Sequence, residues 1–543
     1  MRFTAIILIL ALAVAAVSLG TSPAPAHAST RQVAMFEEDV NLLLGGPADT
    51  VRTLQTLRRL GAGVIRLAVH WNAIEPNPFS KTRPRAFAAS DPAAYPAQNW
   101  SPYDLIVSDA QALGMQIDFS LTGLPPMWAS GRGAPRHGRY PEWKPSAADY
   151  GAFVRAIATR YSGQYTPPGS ASPLPRVRFW ELWNEPNFGQ NLAPQAIRGS
   201  TVFLAAWLYR NLVDAGWSAL QATGHAGDTI LLGSLDARGQ NGSPSRVRPE
   251  GLPGNFGATK PLQFIRTLYC VDSSYREFRG AAAAAVGCPS TAAGSRQFRS
   301  AHPALFTAGG YAVHPYPVNL PPTQASSTDP DFVEFSELPR FGAALDRLQR
   351  TYGSTTRFPI WVNEYSYITN PPNNSGNHFV SPATAAYYIN WAEYLSWRNP
   401  RIASTMQYLL DDPNPRHAPE YGGFASGLQF YNGRPKQTLA AYRLPLYLPQ
   451  TAARRGGRLE VWGCVRPAHY ASIDTGGQAQ RVQIQFQRGP RGPWSALTTV
   501  PIADPHGYFD LRVAFPSSGS VRLTWSYPTG STVFSRIVKV TVR

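Results

Sequence analysis

Two glutamates far apart in the chain lie in similar surroundings. The stretch Phe179-Trp180-Glu181-Leu182-Trp183-Asn184-Glu185-Pro186-Asn187 runs from a strand-like pattern into a proline, and Trp361-Val362-Asn363-Glu364-Tyr365 repeats the pair Asn-Glu after an apolar run. Proline after Glu185 ends a strand ladder, and the alternation of side chains predicts Trp183 and Glu185 on one face. Two carboxylates that converge on one bond can divide the work of glycosidic cleavage, one giving a proton to the leaving oxygen and the other attacking the anomeric carbon or activating water. Either glutamate alone reads equally well as an ion-pair partner. The pairing is what makes the signal specific.

Convergence requires a scaffold. From about residue 30 to 450 short runs rich in Val, Ile and aromatics alternate with longer amphipathic stretches, which is the texture of βα units around a parallel sheet. Strands are expected at 32–36, 63–70, 115–121, 177–184, 229–235, 310–315, 358–364 and 403–409. Helices are expected at Thr50–Leu60, Pro102–Leu113, Ala147–Tyr161, Thr201–Thr223, Phe335–Tyr352 and Pro382–Trp397, with Ser101, Ser146 and Ser381 as caps. Eight units without a Gly-rich phosphate turn fit an α/β fold of the (β/α)8 TIM-barrel type better than an open doubly wound sheet. Strands four and seven then face one another, with Glu185 and Glu364 at the rim. Long insertions at 73–100, 122–145, 236–260 and 270–300 follow strands and wall the same end. After Leu444-Pro445-Leu446 the texture changes to short alternating runs, Val482–Phe486, Phe509–Ala514, Val521–Trp525 and Val538–Val542, between Gly, Pro and Ser turns. The expected organisation is a leader over 1–28, a barrel over 29–450 and an all-β sandwich over 456–543.

Residues 32 to 447 resemble the clan A retaining glycoside hydrolases, with particular similarity to the family 39 and family 5 type. The resemblance is carried by Trp183-Asn184-Glu185-Pro186, by Asn363-Glu364, by Arg66 in Val64-Ile65-Arg66-Leu67 and by His314-Pro315-Tyr316. It implies that Glu185 is the acid/base and Glu364 the nucleophile. It also implies that Asn184 contacts the sugar 2-hydroxyl, that Arg66 supports the nucleophile, and that His314 and Tyr316 lie beside the two carboxylates. Many relatives end strand eight with a Trp that forms a sugar platform. This chain reads Met406-Gln407-Tyr408-Leu409-Leu410-Asp411-Asp412 there, and Tyr408 joins the candidate substrate contacts. Such a mechanism needs Glu185 protonated at the start, its pKa raised by Trp183 and by the charge of Glu364, and needs Glu364 ionised with help from Arg66 and Tyr316. It needs no metal and no organic cofactor. The C-terminal region resembles the immunoglobulin-like or fibronectin-like appendages of secreted bacterial enzymes.

Other rim residues carry two readings each. His70, Trp71 and Trp128 are candidate substrate contacts, as is Trp183, although an isolated Trp is equally a packing residue. Asp236 follows strand five. Asp411 and Asp412 suit substrate, a cation or the following turn. His137, His378, His417 and His506 read as surface residues.

Composition bounds the alternatives. The chain has 543 residues, 43% hydrophobic and only 15% charged, which excludes disorder and coiled coil, and its 12% aromatic content suits stacking on flat ligands. The formal charge of +17 arises from 50 Lys and Arg, mostly Arg, against 33 acids; compositional bias accounts for it better than an anionic partner does, and no nucleic-acid motif accompanies it. Arg2, the apolar run Ala5–Val17 and the small-x-small site Ala26-His27-Ala28 read as a secretory signal, too short for a membrane span, so a soluble exported protein is expected. In an oxidising compartment Cys270 and Cys288 should pair, leaving Cys464 over, and no cysteine spacing suits a metal. The expected function is secreted, retaining hydrolysis of a polysaccharide or oligosaccharide. The competing readings are a catalytically weak glycan-binding protein on the same scaffold, or a cell-wall adhesin built on the basic β-region, whose 456–543 segment carries ten Lys and Arg against four acids. Oligomeric state has no signal.

Overall fold

The computed structural model describes residues 32–135, 140–196, 202–240, 253–373, 379–414 and 424–543. The expected leader over 1–28, and His137, His378 and His417, lie outside the described residues.

Eight parallel strands form one sheet: β1 (Val33–Glu37), β2 (Val64–His70), β3 (Gln116–Thr122), β4 (Phe179–Leu182), β5 (Thr229–Asp236), β6 (Gly310–His314), β7 (Ile360–Val362) and β8 (Ser404–Tyr408). The order runs from β7 back to β1 and on to β8. Ile360 and Ile402 form a parallel bridge that brings the last edge to the first, so the sheet closes as a (β/α)8 barrel. All eight expected strands are present. Two are about half their expected length: β4 ends at Leu182 and β7 at Val362, so both Asn-Glu pairs lie in the loops just past the strand ends.

Because helices cover the outside and side chains fill the inside, the strands are apolar on both faces, as in the nearly continuous burial of β2. The principal helices are α1 (Pro47–Leu60), α2 (Ala97–Ala112), α3 (Ala147–Arg160), α4 (Ala205–Ala222), α5 (Pro261–Leu268), α6 (Leu338–Thr351), α7 (Pro382–Trp397) and α8 (Gln437–Arg443). Ser146 and Ser381 cap α3 and α7, accepting from the amides of Asp149 and Thr384. Ser101 does not cap: α2 starts a turn earlier, at Ala97, and the Ser101 hydroxyl donates back to the Gln98 carbonyl inside that first turn. Pro102 lies inside the helix and cannot donate to the Gln98 carbonyl one turn back, and the Ser101 hydroxyl occupies that carbonyl instead.

The remaining strands are β9 (Leu446–Tyr447), β10 (Ala452–Ala453), β11 (Arg458–Cys464), β12 (Arg481–Gln487), β13 (Trp494–Pro501), β14 (Tyr508–Ala514), β15 (Gly519–Ser526), β16 (Thr532–Phe534) and β17 (Val538–Val542). They make a six-stranded and a three-stranded sheet whose facing sides, among them Leu459, Val461, Ile484, Phe486, Val521 and Leu523, share one apolar core. A helix, α9 (Ala468–Asp474), leads away from β11.

These layers dock on the end of the barrel where the strands begin. The Tyr470 hydroxyl donates to the Ala62 carbonyl just before β2, and Arg466 pairs with Glu393 of α7 at 2.6 Å. Tyr394, Tyr447, Trp462 and Tyr508 form an aromatic cluster across the junction, with Trp391 and Trp397 against it. Gly61, at φ +88° where α1 stops, is required there twice over: the left-handed conformation favours it, and a Cβ would meet the Arg466 carbonyl oxygen at 2.4 Å. Among the described residues no helix is long and apolar enough to cross a membrane.

Candidate active site

The opposite end of the barrel holds a cleft of about 1120 Å³ whose lining includes Glu185, Asp236, Arg238, Tyr316, Glu364, Tyr408 and Phe424. Glu185 and Glu364 meet at His314, the last residue of β6. Nδ1 of His314 lies 2.9 Å from Glu185 Oε1 and 3.1 Å from Glu364 Oε2, and one ring nitrogen and one oxygen from each carboxyl group all lie within 4.8 Å of one another. The side chain of Glu185 is 21% exposed and that of Glu364 15%, whereas His314 is fully buried. Burial lowers the His314 pKa against the pull of the Glu364 charge, which leaves a neutral ring. A single proton on Nδ1, between two carboxyl oxygens, is the tautomer that this geometry favours.

Local backbone aims Glu185. Past the end of β4, Trp183 and Glu185 take φ of +76° and +42°, a left-handed region that costs a non-glycine residue on the order of 1–3 kcal/mol. The strand alternation therefore fails, and the two side chains do not share a face. Trp183 is 1% exposed, turned into the layer between strands and helices with its ring edge-on to Tyr150 of α3, and it does not reach the cleft. Glu185 is anchored through its amide, which donates to the Ser234 carbonyl at 2.9 Å. Ser234 follows Gly233 in an irregularity of β5; Gly233 has φ +95°, and a Cβ there would stand 2.8 Å from the Ala312 carbonyl. A glycine inside a strand pattern was the available signal for this bulge.

Beneath the cleft Arg66 is 2% exposed and joins five groups, one of them the Ser120 hydroxyl, to which Nη2 donates at 3.3 Å. Its Nε donates to Glu181 at 3.0 Å, Nη1 to Glu37 at 2.5 Å and Nη2 to the Asn184 side-chain oxygen at 2.8 Å, and Nη1 lies 3.6 Å from Glu364 Oε2. Burial works against the charge of Glu181, but Arg66 outweighs it, and the carboxylate is held down at about 2. Asn363, next to Glu364, donates to Glu181 at 2.7 Å and to the Ser234 hydroxyl at 2.9 Å. Burial raises Asp118 and Glu37 well above the carboxylate range, so the cage under the site holds fewer negative charges than carboxyl groups. Glu37, Asp118, Glu181 and Ser234 were not singled out from sequence. Only the sharing of one inward face by Glu181 and Arg66 would have pointed to them.

The two rim carboxyls have different partners. Tyr316 donates its hydroxyl to Glu364 Oε1 at 2.9 Å, while Glu185 Oε2 receives a longer bond, 3.3 Å, from Asn191. Burial pushes Glu185 up to about 7, with Arg66 and Asn191 opposing. Trp183 plays no part in that shift. Glu364 is also raised by burial, against the pull of His314, Arg66 and the Tyr316 hydrogen bond. Asp236 is pushed to about 7 by burial and by the charge of Glu185.

The other candidates divide. Asn184 is half-buried with its oxygen bound to Arg66, which leaves its amide protons as donors. Tyr408 lines the cleft, its ring 5.2 Å from Phe424. His70 is half-buried at the end of β2, and burial lowers its pKa. Trp71 does not reach the cleft: it is 0% exposed, stacked on Phe153 and donating to Glu75 at 2.9 Å, because the first residues after β2 turn straight back against α3. Trp128 is half-buried under Arg83, its ring edge-on to Phe87, outside the lining of the cleft. Asp412 pairs with the buried Lys436 at 2.5 Å and Asp411 accepts from Asn41 at 3.0 Å, so both serve the local turn. His506 is a partly exposed neighbour of Asp504. Cys270 and Cys288 form a disulfide, and Cys464 is a buried free thiol.

Among the described residues, Glu185, His314 and Glu364 are also a group that could hold a cation. Arg66, fixed 3.6 Å from the Glu364 oxygen, opposes a second positive charge there.

No protein-family model matches the chain, and no curated protein matches it. Solved structures alike in fold include an endo-β-1,4-mannanase from Thermotoga petrophila, 12% identical, with 96% of this chain and 100% of that one covered at a TM-score of 0.40. A monomeric β-xylosidase from Caulobacter crescentus CB15 is 12% identical over 90% and 95% of the two chains, with a TM-score of 0.46. A glucosidase from Croceicoccus marinus is 12% identical over 89% and 92%, with a TM-score of 0.44.

Proposed function

We propose that the protein is a retaining glycoside hydrolase acting on O-glycosidic bonds of a polysaccharide or oligosaccharide. The observation that carries this reading is the pair of carboxyl groups with oxygens within 4.8 Å at the mouth of a barrel. Retaining enzymes hold the pair at roughly 5–5.5 Å, whereas inverting enzymes need roughly 6.5–9.5 Å to admit a water.

In the first step Glu364, ionised, attacks the anomeric carbon while Glu185, protonated, gives its proton to the departing oxygen. The anomeric carbon–oxygen bond breaks as the glycosyl–Glu364 ester forms. The pKa of about 7 supports Glu185 as the acid. The Tyr316 hydrogen bond and the nearness of Arg66 support Glu364 as the nucleophile. In the second step Glu185, now ionised, takes a proton from water, whose oxygen attacks the same carbon and releases Glu364. Asn184, its oxygen tied to Arg66, turns its amide protons toward the sugar 2-hydroxyl. Tyr408 and Phe424 offer aromatic edges to the ring. Export is supported by the disulfide Cys270–Cys288 and the leader-like composition of 1–28.

The test is a panel of aryl glycosides and polysaccharides with product anomers followed by NMR from the first turnover. Retained configuration is expected. An inverted first product, or no cleavage across the panel, would sink the reading.

A further inference from the structure

The outer face of the six-stranded sheet, away from the cleft, is chemically unusual. Its strands β10, β12, β13, β15, β16 and β17 contain no Asp or Glu. The acids after residue 456 lie on other elements: Glu460 on β11, Asp510 on β14, Asp474 in α9 and Asp504 between β13 and β14.

Alternation buries Val482, Ile484 and Phe486 and turns the glutamines of β12 outward. Gln485 stands opposite Arg522 of β15 in the ladder. The Arg522 guanidinium carbon lies 4.1 Å from the Trp494 ring centre and 3.9 Å from that of Phe534, and its Nε donates to Gln485 at 3.0 Å. Trp494 reaches it from β13 on one side of β15, and Phe534 from β16, which pairs directly with β15. The cation is thus held by two rings and one amide, in a groove of about 760 Å³. Among the described residues no carboxylate lies within ion-pair distance of it.

A guanidinium fixed in this way keeps a planar fork of N–H donors for an outside acceptor, and the group that matches such a fork is a carboxylate or similar oxyanion. An indole beside it, with amide side chains around, suits the flat face and hydroxyls of a sugar ring. We infer that this groove binds the carboxylate-bearing residues of an acidic polysaccharide, with Arg522 on the uronate carboxylate and Trp494 and Gln485 on the ring. Binding here involves no turnover and stands independently of the reaction proposed for the cleft.

Affinity electrophoresis of the full chain tests it, with polygalacturonate in the gel, hydroxyethyl cellulose as the neutral polymer and dextran sulfate as a plain polyanion. Polygalacturonate should retard the protein, and R522Q and W494A should each weaken that retention tenfold or more while hydrolysis of small aryl glycosides is unchanged. R522K, which keeps the charge but loses the fork, should also weaken it. If R522Q lowers the thermal midpoint, W494A on the edge strand carries the test alone. No retardation by polygalacturonate overturns the inference, as does retention that neither variant alters. Retention on the neutral polymer that W494A abolishes overturns the acidic ligand, and retention on dextran sulfate as strong as on polygalacturonate reduces the site to unspecific charge.

Discussion

An oxygen of Glu185 and an oxygen of Glu364 lie within 4.8 Å of one another, and both carboxyl groups touch the same nitrogen of His314. On the retaining reading proposed above, that spacing leaves no room for a water between Glu364 and the sugar. Glu364→Ala should therefore lower kcat by several orders of magnitude, and azide, small enough for the vacated place, should restore part of it. The glycosyl azide so formed should have the inverted configuration, which NMR reads directly. Azide without effect on the variant would remove Glu364 from the nucleophile's role.

Glu185→Ala should separate substrates by their leaving groups. Dinitrophenyl glycosides need little protonation and should lose about tenfold or less in the first step, whereas alkyl glycosides should lose about 10²–10⁴-fold. Equal losses across the series would mean that Glu185 is not the acid.

The dependence on pH follows from the same two groups. Glu185 must carry its proton, so kcat/KM should fall as pH rises through about 7. Glu364 must be ionised, so activity should fall again on the acid side, at a pH above the ordinary carboxylate value because burial raises it. In Tyr316→Phe the ionised form of Glu364 loses a hydrogen bond. The acid limb should move to higher pH, and kcat should fall by about 10-fold or more. An unmoved acid limb would show that the tyrosine positions something else.

Stability should have its own pH dependence. Glu38 is 1% exposed and burial raises it to about 8; it accepts from the amides of Leu410 and Asn41. The folded protein thus holds a proton that the unfolded chain releases near 4.5. The contribution is full below that value and is lost as pH rises through about 8, a change on the order of 5 kcal/mol. Glu38→Gln, which keeps one of the two acceptor oxygens and removes the proton equilibrium, should flatten the fall in melting temperature between pH 5 and 8. An equally steep fall in the variant would place the titration elsewhere.

Much of the scaffold was legible because it repeats a simple physical pattern. Eight apolar runs became eight strands, and the serines before α3 and α7 became caps. The aromatic neighbours of Glu185 were misread for a physical reason. Trp183 lies past the strand end, where a left-handed backbone cancels alternation, and Trp71 turns back against α3. The cage of Glu37, Asp118 and Glu181 around Arg66 was hidden because it is assembled from four different strands, and a buried acid resembles a surface acid until the strands are side by side.

The aromatic cluster at the junction of barrel and β-layers has a further consequence. Tyr394 and its neighbours Trp391 and Trp397 belong to α7, yet their cover is Tyr447, Trp462 and Tyr508. A chain cut near residue 450 would keep Tyr447 over Trp391 but lose Trp462 and Tyr508, uncovering Tyr394 and Trp397 on a helix that also packs on β8. The barrel is therefore not a portable cassette. Barrel and β-layers should lose structure together on heating, and any exchange of the tail would need matching changes on the outer face of α7.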